Sequence, residues 1–163
     1  MSRSDRRRVA ATPTGTPAAP PDRLWRLPSW LIIRLYPPAN RLVVDALGVP
    51  GARADYAVLA SLVEFGAMSQ AELGRRLAVD RSDMAGLITH LAQERLVLRA
   101  PDPGDRRRNA ITITRSGRRR LAALQRRVER AQDELLAPLS AARRAEFIAT
   151  LQELVEYHRV TGS

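Results

Sequence analysis

Ser69-Gln70-Ala71-Glu72-Leu73-Gly74-Arg75-Arg76-Leu77-Ala78-Val79-Asp80-Arg81-Ser82-Asp83-Met84 holds two helix starts separated by one short helix. Ser69 and Glu72 match a capping box, in which a hydroxyl and a carboxylate reciprocally satisfy the free amide donors of a first turn. That helix runs to about Leu77, with Leu73 and Leu77 inward. Ala78-Val79-Asp80 is a tight connection, and Asp80 suits the N-cap of a second helix running to about Glu94. There Met84, Leu87, Ile88 and Leu91 fall at i, i+3, i+4 and i+7, the spacing of one buried face. Two short helices joined by so few residues predict a helix-turn-helix.

The opposite face of the second helix carries Ser82, Asp83, Gly86, Thr89 and Gln93. Short hydrogen-bonding side chains, with Gly86 permitting close approach, suit a helix lying in a DNA major groove; they also suit an ordinary solvated face. The next segment favours the groove. Leu96-Val97-Leu98-Arg99 reads as a strand and Asn109-Ala110-Ile111-Thr112-Ile113 as its partner, alternating in polarity. Between them, Pro101-Asp102-Pro103-Gly104-Asp105-Arg106-Arg107-Arg108 reads as a hairpin turn with three arginines at its tip. Planar guanidinium groups suit phosphates or a narrow, electronegative minor groove.

Upstream, a helix over residues 53–65 has Tyr56, Leu59, Ala60 and Val63 on one apolar stripe and Val58, Leu62 and Phe65 on a second, which predicts burial on two sides. Ser29 reads as the N-cap of a helix starting at Trp30. Pro37 and Pro38 predict a break or sharp kink in it, with Pro38 opening a second segment. Residues 1–24, rich in Arg and then Pro, read as a disordered tail, either solvated or touching DNA phosphates. Downstream, Leu121, Leu124, Val128, Ala131 and Leu135 alternate steps of three and four, a heptad seam. A helix over residues 115–136 is roughly 33 Å long at 1.5 Å per residue, more than one small core requires. Pro138 and Ser140 lead into a last helix with Phe147, Leu151, Leu154 and His158 on one stripe, which predicts a subunit interface.

The composition agrees with a polyanionic partner. The net charge is +10, and all 27 basic residues are Arg. Residues 53–120 carry 13 Arg against 8 acids, whereas residues 121–163 carry 6 of each, so the middle of the chain is basic and the C-terminal third is balanced. The absence of Cys excludes disulfides, Cys-based zinc sites and a thiol redox sensor. Only His90 and His158 offer imidazoles, and neither a glycine-rich phosphate loop nor metal-spaced ligands occur, so neither an enzyme nor a bound cofactor is expected. Sparse aromatics disfavour single-strand or RNA binding. The apolar run Trp30–Ile33 is far short of a membrane span, and no signal-peptide core follows the basic N-terminus, so a cytoplasmic protein is expected.

With these elements in place, residues 29–159 resemble the multiple-antibiotic-resistance regulator (MarR) family. The resemblance rests on Ser69–Leu77, on Asp80-Arg81-Ser82, and above all on Asp105-Arg106-Arg107-Arg108-Asn109-Ala110-Ile111-Thr112-Ile113-Thr114-Arg115-Ser116-Gly117. It implies that Asp105 orients Arg107 for a minor groove, and that the first and last helices build a triangular homodimer. It also implies release of DNA when a small aromatic or phenolic acid binds between the dimerisation and DNA-binding parts. Pro37-Pro38 departs from the family's more continuous first helix, so the pocket is expected to be shaped differently.

The fold expected is therefore mainly α with a small β-hairpin wing: a winged helix-turn-helix plus a helical dimerisation region. Its divisions are a tail (1–24), an N-terminal helical part of the dimerisation region (25–52), the DNA-binding domain (53–114) and C-terminal dimerisation helices (115–163). Double-stranded DNA is expected to meet Gln70, Arg81, Ser82, Asp83, Gly86, Thr89, Arg106, Arg107 and Arg108. Asp83 either accepts from a cytosine amino group, restrains Arg81 or stabilises the helix N-terminus. For a small aromatic carboxylate effector, a buried arginine offers fixed bidentate donors. Arg34 is the candidate, with Trp30 one turn before it; Arg41, Tyr56 and His90 are lesser ones, and a structural salt bridge or plain exposure is the other role for Arg34. The expected protein is a homodimeric regulator, a repressor, on a palindromic operator. The alternative is a ligand-independent architectural DNA protein or a winged-helix interaction module.

Overall fold

The computed structural model describes residues 19–49, 51–101 and 109–161. It comprises helices α1 (Asp22–Trp25), α2 (Pro28–Leu47), α3 (Ala52–Phe65), α4 (Gln70–Leu77), α5 (Arg81–Gln93), α6 (Arg115–Leu135) and α7 (Ala141–Thr161). Three short strands, β1 (Met68–Ser69), β2 (Val97–Pro101) and β3 (Asn109–Ile113), form an antiparallel sheet in the order β1-β3-β2. The mainly helical fold with a small wing sheet is the one expected. Two units make up the chain, one ending at Leu35 and one starting at Tyr36.

The N-terminal unit departs from expectation twice. The tail expected to extend to residue 24 is already helical at Asp22–Trp25, where Pro21 precedes the helix and Asp22 places an acid in its first turn. Residues 1–18 of the expected tail lie outside the described residues. Helix α2 starts at Pro28, so Ser29 lies inside the helix and is not its N-cap. Proline fits there because the amide of a first helical residue has no intrahelical acceptor.

Of the break or sharp kink expected at Pro37 and Pro38, the break does not occur, since α2 is one helix from Pro28 to Leu47. Proline's fixed φ of about −65° is itself helical. Because the two prolines are adjacent, only the carbonyls of Ile33 and Arg34 lose their i+4 donors, and the ladder resumes on either side.

In the unit from Tyr36 onward the main core gathers Val58, Leu59 and Leu62 of α3, Leu73 of α4, Met84, Ile88 and Leu91 of α5, and Met68, Val97 and Ile111 of the sheet. Burial of each large aliphatic side chain contributes about 1.5–3 kcal/mol, which fixes α4 and α5 against α3. Val63 and Phe65 were expected on buried stripes but are 43% and 48% exposed. Phe65 is covered instead by a cation, with the Arg76 guanidinium 3.8 Å from its ring centroid. A second cluster of Leu47, Ala52 and Leu124, with Val43, Tyr56 and Val128 against it, seats α6 on α3.

Strand β1 was not foreseen. Two residues are too short to show an alternating pattern, and Met68 becomes a strand because it pairs with Ile111 and Ser69 with Ala110. On the long helix α6 the seam expected from the heptad spacing is graded: Leu124 and Ala131 are buried and Leu121, Val128 and Leu135 half-buried. Helix α7 buries none of its residues. Among the described residues no helix is long and apolar enough to cross a membrane.

Candidate nucleic-acid interface

Both predicted caps hold the helix-turn-helix in place. The Ser69 hydroxyl accepts from the Glu72 amide at 3.3 Å while the Ser69 amide donates to Glu72 Oε2 at 2.8 Å, the reciprocal pair of a capping box. Asp80 Oδ1 accepts from the Asp83 amide at 2.8 Å and from the Ser82 hydroxyl at 2.7 Å. The Asp83 amide first, and the Ser82 hydroxyl second, hold the Asp80 carboxyl below the ordinary carboxylate range. Between the helices Ala78 takes the left-handed conformation, φ 51°, which ends α4 and turns the chain toward Asp80.

The outward face of α5 keeps Arg81, Ser82, Asp83, Gly86, Thr89 and Gln93 exposed. An open cleft between α4 and α5 is lined by Gln70, Gly74, Arg75, Arg81 and Met84. Gln70 begins α4, and its side-chain amide donates to the Arg81 carbonyl at 3.5 Å. A Cβ on Gly86 would meet nothing within 4 Å, so the helix surface there is open to a flat partner. Ser82 and Asp83 are partly engaged in capping, Asp83 through its backbone amide.

Thr89, expected among the DNA contacts, is hydrogen-bonded within the protein. Its hydroxyl donates to the Ala85 carbonyl at 2.8 Å and accepts from Arg99 Nη2, also at 2.8 Å. Arg99, on β2, was not a candidate; the strand's period of two and the position of the helix face together would have pointed to it. The wing residues Asp105, Arg106, Arg107 and Arg108 lie outside the described residues.

The effector candidates fall in both units. In the first, Arg34 is exposed, the other of the two roles weighed for it, and its guanidinium lies 5.6 Å from the Trp30 ring centroid. Trp30 also meets Trp25 edge to face at 5.7 Å. In the second, Arg41 is exposed, and half-buried Tyr56 donates its hydroxyl to Gln125 Oε1. His90 Nε2 lies 3.9 Å from Asp55 Oδ2. Among the described residues no group of acidic and imidazole side chains could hold a metal ion.

Known proteins agree with this architecture. The MarR family profile matches residues 47–108, from the end of α2 to the wing. The transcriptional repressor NicR of Pseudomonas putida is 31% identical over 66% of this chain and 68% of its own length. The crystal structure of the PcaV transcriptional regulator from Streptomyces coelicolor with its natural ligand is 30% identical, with a TM-score of 0.68 over 85% of this chain and 97% of that one. CouR from Rhodococcus jostii, bound to p-coumaroyl-CoA, is 26% identical, with a TM-score of 0.67 over 80% of this chain and 93% of that one. Capped helix-turn-helix, three-stranded wing sheet and long terminal helices thus coincide with a match in sequence, and the chain belongs to the MarR family of DNA-binding transcriptional regulators.

Proposed function

We propose that this chain is a homodimeric repressor that reads a palindromic operator and releases it on binding a small aromatic carboxylate. The observation that carries the DNA half is the outward face of α5, where Arg81, Ser82, Gly86 and Gln93 stay open on a helix fixed from behind by Met84, Ile88 and Leu91. Arg81 and Ser82 sit at its N-terminus, the end that reaches base edges when such a helix enters a major groove. Gln70 adds a contact from α4, and Asp105, Arg106, Arg107 and Arg108 carry the wing into the flanking minor groove.

The dimer half rests on α7. Ile148, Leu151, Leu154 and Val155 lie exposed along one side of a helix with no buried residue, an apolar strip that a second copy can cover. Two copies joined there present two α5 helices, and half-sites about 34 Å apart follow from the helical repeat of DNA.

The effector half is supported by relatives solved with ligands, PcaV with its natural ligand and CouR with an aromatic acyl thioester. In this chain Arg34 stands over Trp30, a guanidinium beside an aromatic face, which suits a carboxylate joined to a ring. The repressor reading rests on NicR.

Selection of bound sequences from a random duplex pool tests the reading. A palindrome with half-sites one turn apart is expected, and the enriched duplex should be released by an aromatic acid. No enriched motif would replace the operator reading with an architectural one.

A further inference from the structure

The sheet places Met68, Ile111 and Arg99 in one row, because Met68 pairs with Ile111 and Ile111 with Arg99. Directly paired residues share a sheet face. Met68 and Ile111 point into the core at 6% and 2% exposure, so Arg99 leaves β2 on the same face. Being on an edge strand it passes the rim of the core, and there its Nη2 donates to the Thr89 hydroxyl on α5. The wing leaves the sheet two residues later, at Pro101.

We propose that Arg99 is a DNA-phosphate contact held in place by Thr89, at the seam between recognition helix and wing. The inference rests on the reading above, that α5 enters a major groove and the wing the adjoining minor groove. One phosphate backbone separates those two grooves, and it must cross the seam between α5 and the root of β2. Arg99 is an exposed cation at that seam. Its guanidinium has five N–H donors, and its bond to Thr89 uses one nitrogen; no carboxylate among the described residues pairs with it. Thr89 fits the positioning role because its hydroxyl proton is committed to the Ala85 carbonyl, which turns its oxygen lone pairs toward Arg99.

The test is the affinity of the full chain for a random-sequence duplex across a salt series, for the wild type, R99Q, R99K and T89V. One lost phosphate contact lowers the slope of log K against log salt by about 0.9. R99Q is expected to show that loss with roughly tenfold weaker binding, and R99K to recover the slope. T89V is expected to keep the slope and bind several-fold more weakly. R99Q with the wild-type slope overturns the assignment, even if its affinity or melting temperature falls, because a merely structural arginine leaves the slope unchanged. T89V binding as tightly as the wild type overturns it as well. Because the probe has no defined sequence, failure to find a palindrome removes the operator reading without deciding the fate of Arg99.

Discussion

His90 Nε2 lies 3.9 Å from Asp55 Oδ2, so the last turn of α5 meets a carboxylate only 5% exposed. Burial pushes the Asp55 carboxyl above its ordinary value of 3.8, against the opposing pull of His90 and Arg120, and Glu94 adds to the rise. Its Oδ1 has no hydrogen-bond partner among the described residues.

A carboxyl whose folded value is raised contributes stability that is fully present below its unfolded value of 3.8 and lost as pH rises through the folded value. Asp55→Asn removes the buried charge. The variant is expected to melt about 2–4 °C higher at pH 7, with the advantage shrinking as pH falls toward the ordinary carboxylate range. Melting curves at neutral and acid pH check this, and a variant that melts lower at pH 7 would contradict burial as the dominant cause.

Gly117 lies where α6 leaves the sheet, with its amide donating to Thr114 Oγ1 at 2.9 Å. A Cβ there would stand 2.7 Å from Ile113 Cγ1 and closer still to the Leu96 carbonyl oxygen, which is backbone and cannot swing aside. Gly117→Ala is expected to cost about 1–3 kcal/mol, read as a lower urea midpoint. An unchanged midpoint would mean that the start of α6 shifts freely.

Substitutions at Arg107 and Ser82 are expected to separate affinity from reading. Arg107→Ala is expected to weaken binding to all duplexes and lower the salt slope by about 0.9. Ser82→Ala, at the exposed start of α5, is expected to change which base is preferred at one position per half-site, by about 1–3 kcal/mol. A selection profile identical to the wild type's would remove Ser82 from base reading.

On α7, Leu154 and Val155 are 47% and 67% exposed, so Leu154→Glu places a charge in water in the monomer and in an apolar contact in a dimer. The expected result is an intact fold by circular dichroism and a halved mass by sedimentation. Operator affinity should fall with it, since two half-sites bound together gain from effective concentration. A dimer that survives this change does not use that face of α7.

Local chemistry determined much of this protein from sequence alone. The caps Ser69 and Asp80 act within three residues of themselves, and the buried face Met84, Ile88, Leu91 follows from helical period, so the helix-turn-helix was legible without any distant contact. The Asp105–Gly117 stretch likewise carried the family resemblance. At Pro37 and Pro38 the local rule offered a break or a kink, and the break does not occur because proline's fixed φ is itself helical. What only the tertiary structure decided were the relations between elements. Strand β1 exists because Met68 meets Ile111, Phe65 is covered by Arg76, and Thr89 is claimed by Arg99 across ten residues of chain. No periodicity encodes such pairs, because each depends on the angle at which one element's rim meets the next, and that angle is set by the packing of the whole core.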